Sequence, residues 1–264
     1  MFQTGDNVIS KQRDVEFDDG KHWRARLGFI LMSTDLAAES DFFAMAPEGV
    51  AVHITRLKTE DYTTNETLAR HIDTMAEAAS RLQPDARPDV ISYSCTSGSI
   101  KIGEQRVMEE ILKGAPHTQP MTLVTGVIDA LHELGVKKLV VGTPYLDEIN
   151  TVEAEFLISK GFEIINIQGL NIATGIEMGR VTPEYWTKFA CEIDHADADA
   201  IFLSCSGIRA LDVVTEIEAL TGKPVITSNQ AQMWSCLRRA GIKDELSGFG
   251  EIFSKPGKSL LPES

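Results

Sequence analysis

No stretch of this chain stays apolar for the ~20 residues that a bilayer-spanning helix needs. Its first twenty residues are polar and acidic, not a basic and apolar leader. A cytoplasmic setting is the expectation. Basic residues are scarce, with 25 Lys and Arg against 39 Asp and Glu, for a net charge of −14. Nucleic acid and anionic membranes reward clustered cations, so neither is an expected partner. Four cysteines, Cys95, Cys191, Cys205 and Cys236, are too few and too widely spaced to staple a chain of 264 residues. Reduced thiols are expected. Neither Cys-x-x-Cys nor His-x-x-x-His spacing occurs, which argues against a structural zinc site. A dinucleotide fingerprint is missing after the first predicted strand. Gly257-Lys258-Ser259 lacks the earlier glycine of a phosphate loop, because Ile252 stands there. No cofactor and no metal are expected.

What the chain does have is alternation. Hydrophobic residues make up 43% and charged residues 24%, an ordinary globular balance. Short apolar runs alternate with longer segments of helical period, the signature of an α/β fold with parallel sheets covered by helices. Strands are expected at 26–32, 50–55, 89–93, 121–124, 138–142, 163–168, 200–204 and 225–227. The helices between them are expected near 66–82, 104–113, 126–134, 152–160, 183–194, 211–220 and 231–240.

The second half echoes the first. Pro-Asp-Val-Ile-Ser-Tyr-Ser-Cys ends at Cys95, and Ala-Asp-Ala-Ile-Phe-Leu-Ser-Cys ends at Cys205. Downstream of each, a strand led by Pro120 or Pro224 precedes a helix that closes on Gly135 or Gly241. Near-constant offsets predict two pseudo-twofold-related halves, each a mainly parallel four-stranded sheet flanked by helices. Strand ends from both halves would then face one cleft.

Both cysteines end an apolar run and are followed by small residues: Cys95 by Thr96, Ser97 and Gly98, and Cys205 by Ser206 and Gly207. A strand that stops at Cys and turns into a helix aims the sulfur and free backbone N–H groups at one spot, which favours a thiolate and holds a carboxylate. Two thiols facing one carbon suit a reaction that removes a proton from one side and returns one to the other. At a near-attack distance on each side, the sulfurs would stand roughly 7 Å apart, too far for a disulfide. A buried free Cys is otherwise a small hydrophobe. Cys191 and Cys236 fall inside predicted helices among apolar neighbours and are assigned to packing. The six histidines show no ligand spacing, and surface positions suffice for most.

These residues resemble the aspartate/glutamate racemase superfamily, whose members carry one cysteine per half on opposing strand ends. Within it, Thr143-Pro144-Tyr145-Leu146-Asp147, Gly179-Arg180-Val181-Thr182-Pro183-Glu184 and Ser228-Asn229-Gln230-Ala231 with Trp234 and Leu237 look like the maleate cis-trans isomerases and the ectoine-utilization proteins. The resemblance covers about residues 25–250. Arylmalonate decarboxylases share the superfamily but keep one of the two cysteines, so retention of both argues against their chemistry. The family architecture implies one half built from 1–124 plus 229–264 and another from 125–228, and a homodimer.

Departures from the family bear on the substrate. Where maleate isomerases carry a carboxylate-binding Asn after the first strand, this chain has Asp35, and a second such Asn falls on Gly175. An ionised Asp repels a carboxylate and attracts an ammonium, so the resemblance implies an amino-acid substrate, closest to a diaminobutyrate derivative. Tyr145 is a candidate hydroxyl donor to a substrate carboxylate, or a half-buried packing residue. Thr96, Ser97, Ser206 and Gly207 are candidate substrate contacts, and Asp35, Thr96, Ser97 and Ser206 also suit plain helix caps. Three functions follow. The first is a cofactor-independent racemase or isomerase of a small carboxylate with Cys95 and Cys205 as its catalytic pair. The second is a maleate-like cis-trans isomerase that forms a covalent cysteine adduct, and the third is a non-catalytic small-molecule binding protein.

Overall fold

A computed structural model describes residues 10–18, 20–82 and 87–260. In chain order the elements are β1 (Ala25–Met32), α1 (Ala38–Ala44), β2 (Val50–Leu57), α2 (Asn65–Ala69), α3 (Met75–Ser80), β3 (Val90–Tyr93), α4 (Thr96–Ile102), α5 (Glu104–Gly114), β4 (Gln119–Thr122) and α6 (Leu123–Glu133). After it come β5 (Lys138–Thr143), α7 (Asp147–Ser159), β6 (Glu163–Gly169), α8 (Gly175–Met178), α9 (Pro183–Ile193), β7 (Ala200–Leu203), α10 (Val214–Thr221), β8 (Val225–Thr227) and α11 (Ser228–Arg239).

All eight strands lie where the apolar runs place them, although β4 starts and ends two residues early. Strands such as Ala200–Leu203 are buried along their whole length, as parallel sheets covered on both faces require. Every pairing is parallel, and the sheet orders are β2-β1-β3-β4 and β6-β5-β7-β8. The two orders are the same. In each sheet the chain leaves the first strand to one side and returns on the other, so the reversal points lie between β1 and β3 and between β5 and β7. The carboxyl ends of those four strands are where an open α/β sheet offers a crevice.

Local chemistry repeats with the topology. Asp89 accepts the N–H of Arg26 at the start of β1, and Asp199 accepts that of Lys138 at the start of β5. Thr122 and Thr227 each open a helix with a reciprocal capping box, which is why α6 and α11 begin three residues before the expected starts. The expected helix at 66–82 is instead broken by a 3-10 stretch over Arg70–Thr74, and α1, α4 and α8 are additions to the expected set.

The halves are packed into one body by shared apolar clusters. One joins Ile30 and Ile91 to Val140 and Leu203, and the other joins Phe29 and Phe42 to Val141, Phe202 and Trp234. Helices α6 and α11 touch so closely that a Cβ on Gly126 would lie 2.9 Å from the Gln232 Cα. Across the mouth of the crevice, the loop after β2 is zipped to the loop after β6. Thr63 N–H donates to the Ala173 carbonyl, Gly175 N–H to the Asp61 carbonyl, and Ile176 N–H to Asp61 Oδ1. No helix among the described residues is long and apolar enough to cross a membrane.

Candidate active site

The crevice between the reversal points holds a cavity of about 530 Å³, counting its open mouth. Both Cys95 and Cys205 line it, as do Asp35, Ser97, Tyr145, Ser206 and Gly207. Thr96 does not. Its hydroxyl lies 2.9 Å from Ser228 Oγ, so the residue assigned to the substrate instead ties α4 to α11. Cys191 also departs from expectation, being exposed on α9, whereas Cys236 is fully buried against Met121.

The two thiols stand in unequal settings. Cys95 is the residue that caps α4, and its Sγ accepts the Gly98 N–H at 3.3 Å. Cys205 is followed by a turn and not by the expected helix. Its Sγ accepts the Gly207 N–H at 3.3 Å, and its backbone sits at φ 145°, a conformation that favours glycine. Burial pushes the Cys205 thiol up to about 12, with the Tyr145 hydroxyl and Gly207 N–H opposing and the Asp35 and Cys95 charges adding to the rise. Burial pushes Cys95 up too, opposed by the Gly98 N–H and the Tyr93 and Ser97 hydroxyls. Neither thiol is pulled down as helix N-termini alone would predict, because loss of water outweighs a single N–H contact.

Asp35 meets the cavity from the loop after β1. Its Oδ1 accepts the N–H groups of Ala37 at 3.0 Å and Ala38 at 2.8 Å, so the capping role is realised. Oδ2 has no aligned partner although the residue is buried. Burial raises the carboxyl's pKa, opposed by those N–H groups, the nearby Ser206 hydroxyl and Arg56. Gly175 lines the same cavity, and Tyr145 is buried beside it with its turn fixed by Thr143 Oγ1, which accepts the Tyr145 N–H at 3.1 Å. Burial, then the neighbouring Cys205 and Glu153, hold the Tyr145 hydroxyl well above the usual tyrosine range, so it stays protonated and can donate. Among the described residues, no Lys or Arg lines the cavity. No group of three or more His, Cys, Asp or Glu side chains is placed to hold a metal ion, again among the described residues.

Three groups escaped sequence reasoning. His71 lines the cavity and is buried. Its spacing from Leu68 and Met75 put it on an apolar helical stripe, the signal that would have found it. Ser228 Oγ accepts the Cys205 N–H at 3.0 Å, and Asn229 Nδ2 donates to the Ser206 carbonyl and to Asp41 Oδ2, both at 2.8 Å. Gln232 Nε2 donates to Ser92 Oγ and Ser94 Oγ. The start of α11 therefore holds the strand ends of both halves. Glu153 on α7 is buried with both carboxyl oxygens unpartnered.

Comparison with known proteins agrees with this geometry. A sequence profile of the arylmalonate decarboxylase family matches residues 36–253. The arylmalonate decarboxylase of Bordetella bronchiseptica is 30% identical over 190 residues, spanning 70% of this chain and 78% of its own. A maleate isomerase of Pseudomonas putida is 23% identical over 244 residues, spanning 87% of this chain and 97% of its own. The crystal structure of the maleate isomerase from Pseudomonas putida S16 with maleate superposes with a TM-score of 0.81 at 25% identity, covering 88% of this chain and 98% of that one. Duplicated parallel sheets, a thiol at the end of the third strand of each, and these matches together make the chain a member of the arylmalonate decarboxylase and maleate isomerase family.

Proposed function

We propose that the protein is a cofactor-independent isomerase of a small carboxylic acid that also carries an amino group, with Cys95 and Cys205 acting from opposite sides of the bound molecule. The observation that carries this reading is that two thiols, one from each half, line a single cavity. Their unequal settings divide the labour. Cys95, at the cap of α4, faces three donors that favour a thiolate, the Gly98 N–H and the Tyr93 and Ser97 hydroxyls, and takes the part of the base. Cys205, pushed up to about 12, keeps its proton and is the acid. For the reverse substrate enantiomer the roles exchange. Cys95 takes the proton from the carbon next to the carboxylate, the electron pair moves into the carboxylate, and Cys205 delivers its own proton to the other face. Tyr145 and Ser97, which line the same cavity, would hold the carboxylate on which that charge collects.

The amino group is supported by Asp35. With Oδ1 occupied by two N–H groups, Oδ2 is the oxygen left for a ligand, and an ammonium there would supply the missing partner and keep the carboxyl ionised. A cavity without a lining cation offers a dianion no such match. The substrate class we favour is a diaminobutyrate-type amino acid.

A maleate-type cis-trans isomerisation is the second reading, favoured by the maleate isomerases among the relatives. There the Cys95 thiolate adds to the alkene carbon, the former double bond rotates, and elimination re-forms it as the trans acid. One set of measurements separates the two. A panel of amino acids incubated in deuterated buffer and followed by proton NMR should lose the α-proton signal of the true substrate, while maleate should yield fumarate only under the second reading. No exchange with any amino acid, together with fumarate formation, would overturn the first.

A further inference from the structure

Two polar side chains stand behind Cys95: Tyr93, whose hydroxyl is among the donors counted above, and His71, which has no role in the scheme. Tyr93 lies two residues before Cys95, so both side chains leave the same face of the chain as it exits β3. The ring is fully buried, and its hydroxyl is 2.6 Å from Nδ1 of His71. A Cβ added to Gly98 would lie 2.2 Å from that hydroxyl and 3.0 Å from Cys95 Sγ, so both atoms converge on a space that only glycine leaves open. His71 comes from the 3-10 stretch that interrupts the expected helix, and it reaches the same cavity as the thiol.

We infer that Tyr93 and His71 form a donor chain that stabilises the thiolate of Cys95: the tyrosine O–H donates to the sulfur, and His71 Nδ1–H donates to the tyrosine oxygen. Both are positioning residues, acting on the substrate only through Cys95. The chain donates hydrogen bonds without passing protons. Burial holds the tyrosine hydroxyl well above its usual range and pushes His71 down to about 4, so Tyr93 keeps its proton and His71 stays neutral. When Cys95 takes a proton from the substrate, that proton rests on sulfur and the two hydrogen bonds behind it remain. The other titratable groups facing the sulfur are Asp35 from the loop after β1, and Cys205 and Tyr145 from the second half. All of these work against the thiolate by charge or stand across the cavity. Only the Tyr93 and Ser97 hydroxyls and the Gly98 N–H favour it.

The inference rests on Cys95 being one of the working pair, yet its test needs no substrate. The full-length protein is treated with iodoacetamide across a pH series, and alkylation of the Cys95 and Cys205 peptides is followed by mass spectrometry. Tyr93→Phe should move the Cys95 inflection up by about one pH unit and slow its alkylation about tenfold below that inflection, the scale expected for losing a hydrogen bond to a charged atom. Cys205 should keep its own profile. His71→Leu should shift Cys95 in the same direction, and His71→Asn, whose amide N–H can replace Nδ1–H, should recover part of the shift. An unchanged Cys95 inflection in a folded Tyr93→Phe protein overturns the inference, as does an equal shift at both cysteines. Should Tyr93→Phe not fold, the His71→Leu and His71→Asn pair decides, equal profiles for the two meaning that no donor chain exists. Failure to find a substrate would leave these profiles untouched.

Discussion

The hydroxyl of Ser228 accepts the backbone N–H of Cys205 at 3.0 Å, fixing the second thiol from the first residue of α11. The same oxygen lies 2.9 Å from Thr96 Oγ1, next to the first thiol. One buried atom thus sets the positions of both strand ends. Removing it in Ser228→Ala leaves a buried N–H and a buried hydroxyl unpaired, at a cost of about 1–3 kcal/mol. Thermal unfolding followed by circular dichroism should show a midpoint several degrees lower, with isomerisation reduced more than the stability loss explains. A variant with the wild-type midpoint and rate would mean that water or a neighbour replaces the hydroxyl.

Loss of either thiol should slow interconversion severely without ending all exchange. Cys205→Ser retains the Cys95 base, so it should still wash deuterium into one enantiomer of the substrate. Cys95→Ser should do so only for the other. General acid–base residues contribute about 10²–10⁴-fold, which sets the expected fall in overall rate. Exchange into both enantiomers by either single variant would break the assignment of one thiol to each face.

Asp35→Asn exchanges an oxygen acceptor for an amide donor where Oδ2 stands unpartnered. Binding of dicarboxylates should improve and binding of amino acids should weaken, each by about tenfold or more, the usual worth of a hydrogen bond to a charged group. Isothermal titration with one ligand of each kind reads both changes. Equal affinities before and after would reduce Asp35 to a cap for α1.

Glu153 is buried, its oxygens have no aligned partner, and burial pushes its carboxyl up to about 7, opposed only by the Ser204 hydroxyl. The folded protein holds this proton until about pH 7, whereas the unfolded chain releases it near 4.5. Stability is therefore lost as pH rises through that window, and the loss is complete above it. Glu153→Gln should be more stable than the natural chain at about pH 8, by an amount on the order of 3 kcal/mol, and unfold at a correspondingly higher temperature. The advantage should vanish below about pH 4.5. A difference that does not change with pH would show that the carboxyl titrates normally.

Much of this site could be read without coordinates because strand ends are written locally. Cys95 and Cys205 each close an apolar run, and the parallel topology carries every such run to the same edge of its sheet. Asp35, Ser97, Tyr145, Ser206 and Gly207 follow strand ends for the same reason. Thr96 lies outside the cavity lining because its hydroxyl meets Ser228, 132 residues away in sequence, a contact no local pattern shows. His71 shares an apolar stripe with Leu68 and Met75, which announces its burial, but no local residue announces the 3-10 break that carries it to the cavity. The rise in both thiol pKa values also stayed hidden, since it comes from enclosure by both halves at once.

Cys205 occupies a backbone geometry, φ 145°, that an unsubstituted α-carbon would adopt without resistance. Evolution toward a sturdier chain would replace this residue by glycine, and the resulting protein should outlast its Cys205→Ala counterpart on heating. The thiol is thus kept against the preference of the polypeptide that carries it, and relaxing that tension would leave a more durable scaffold with only one reactive face.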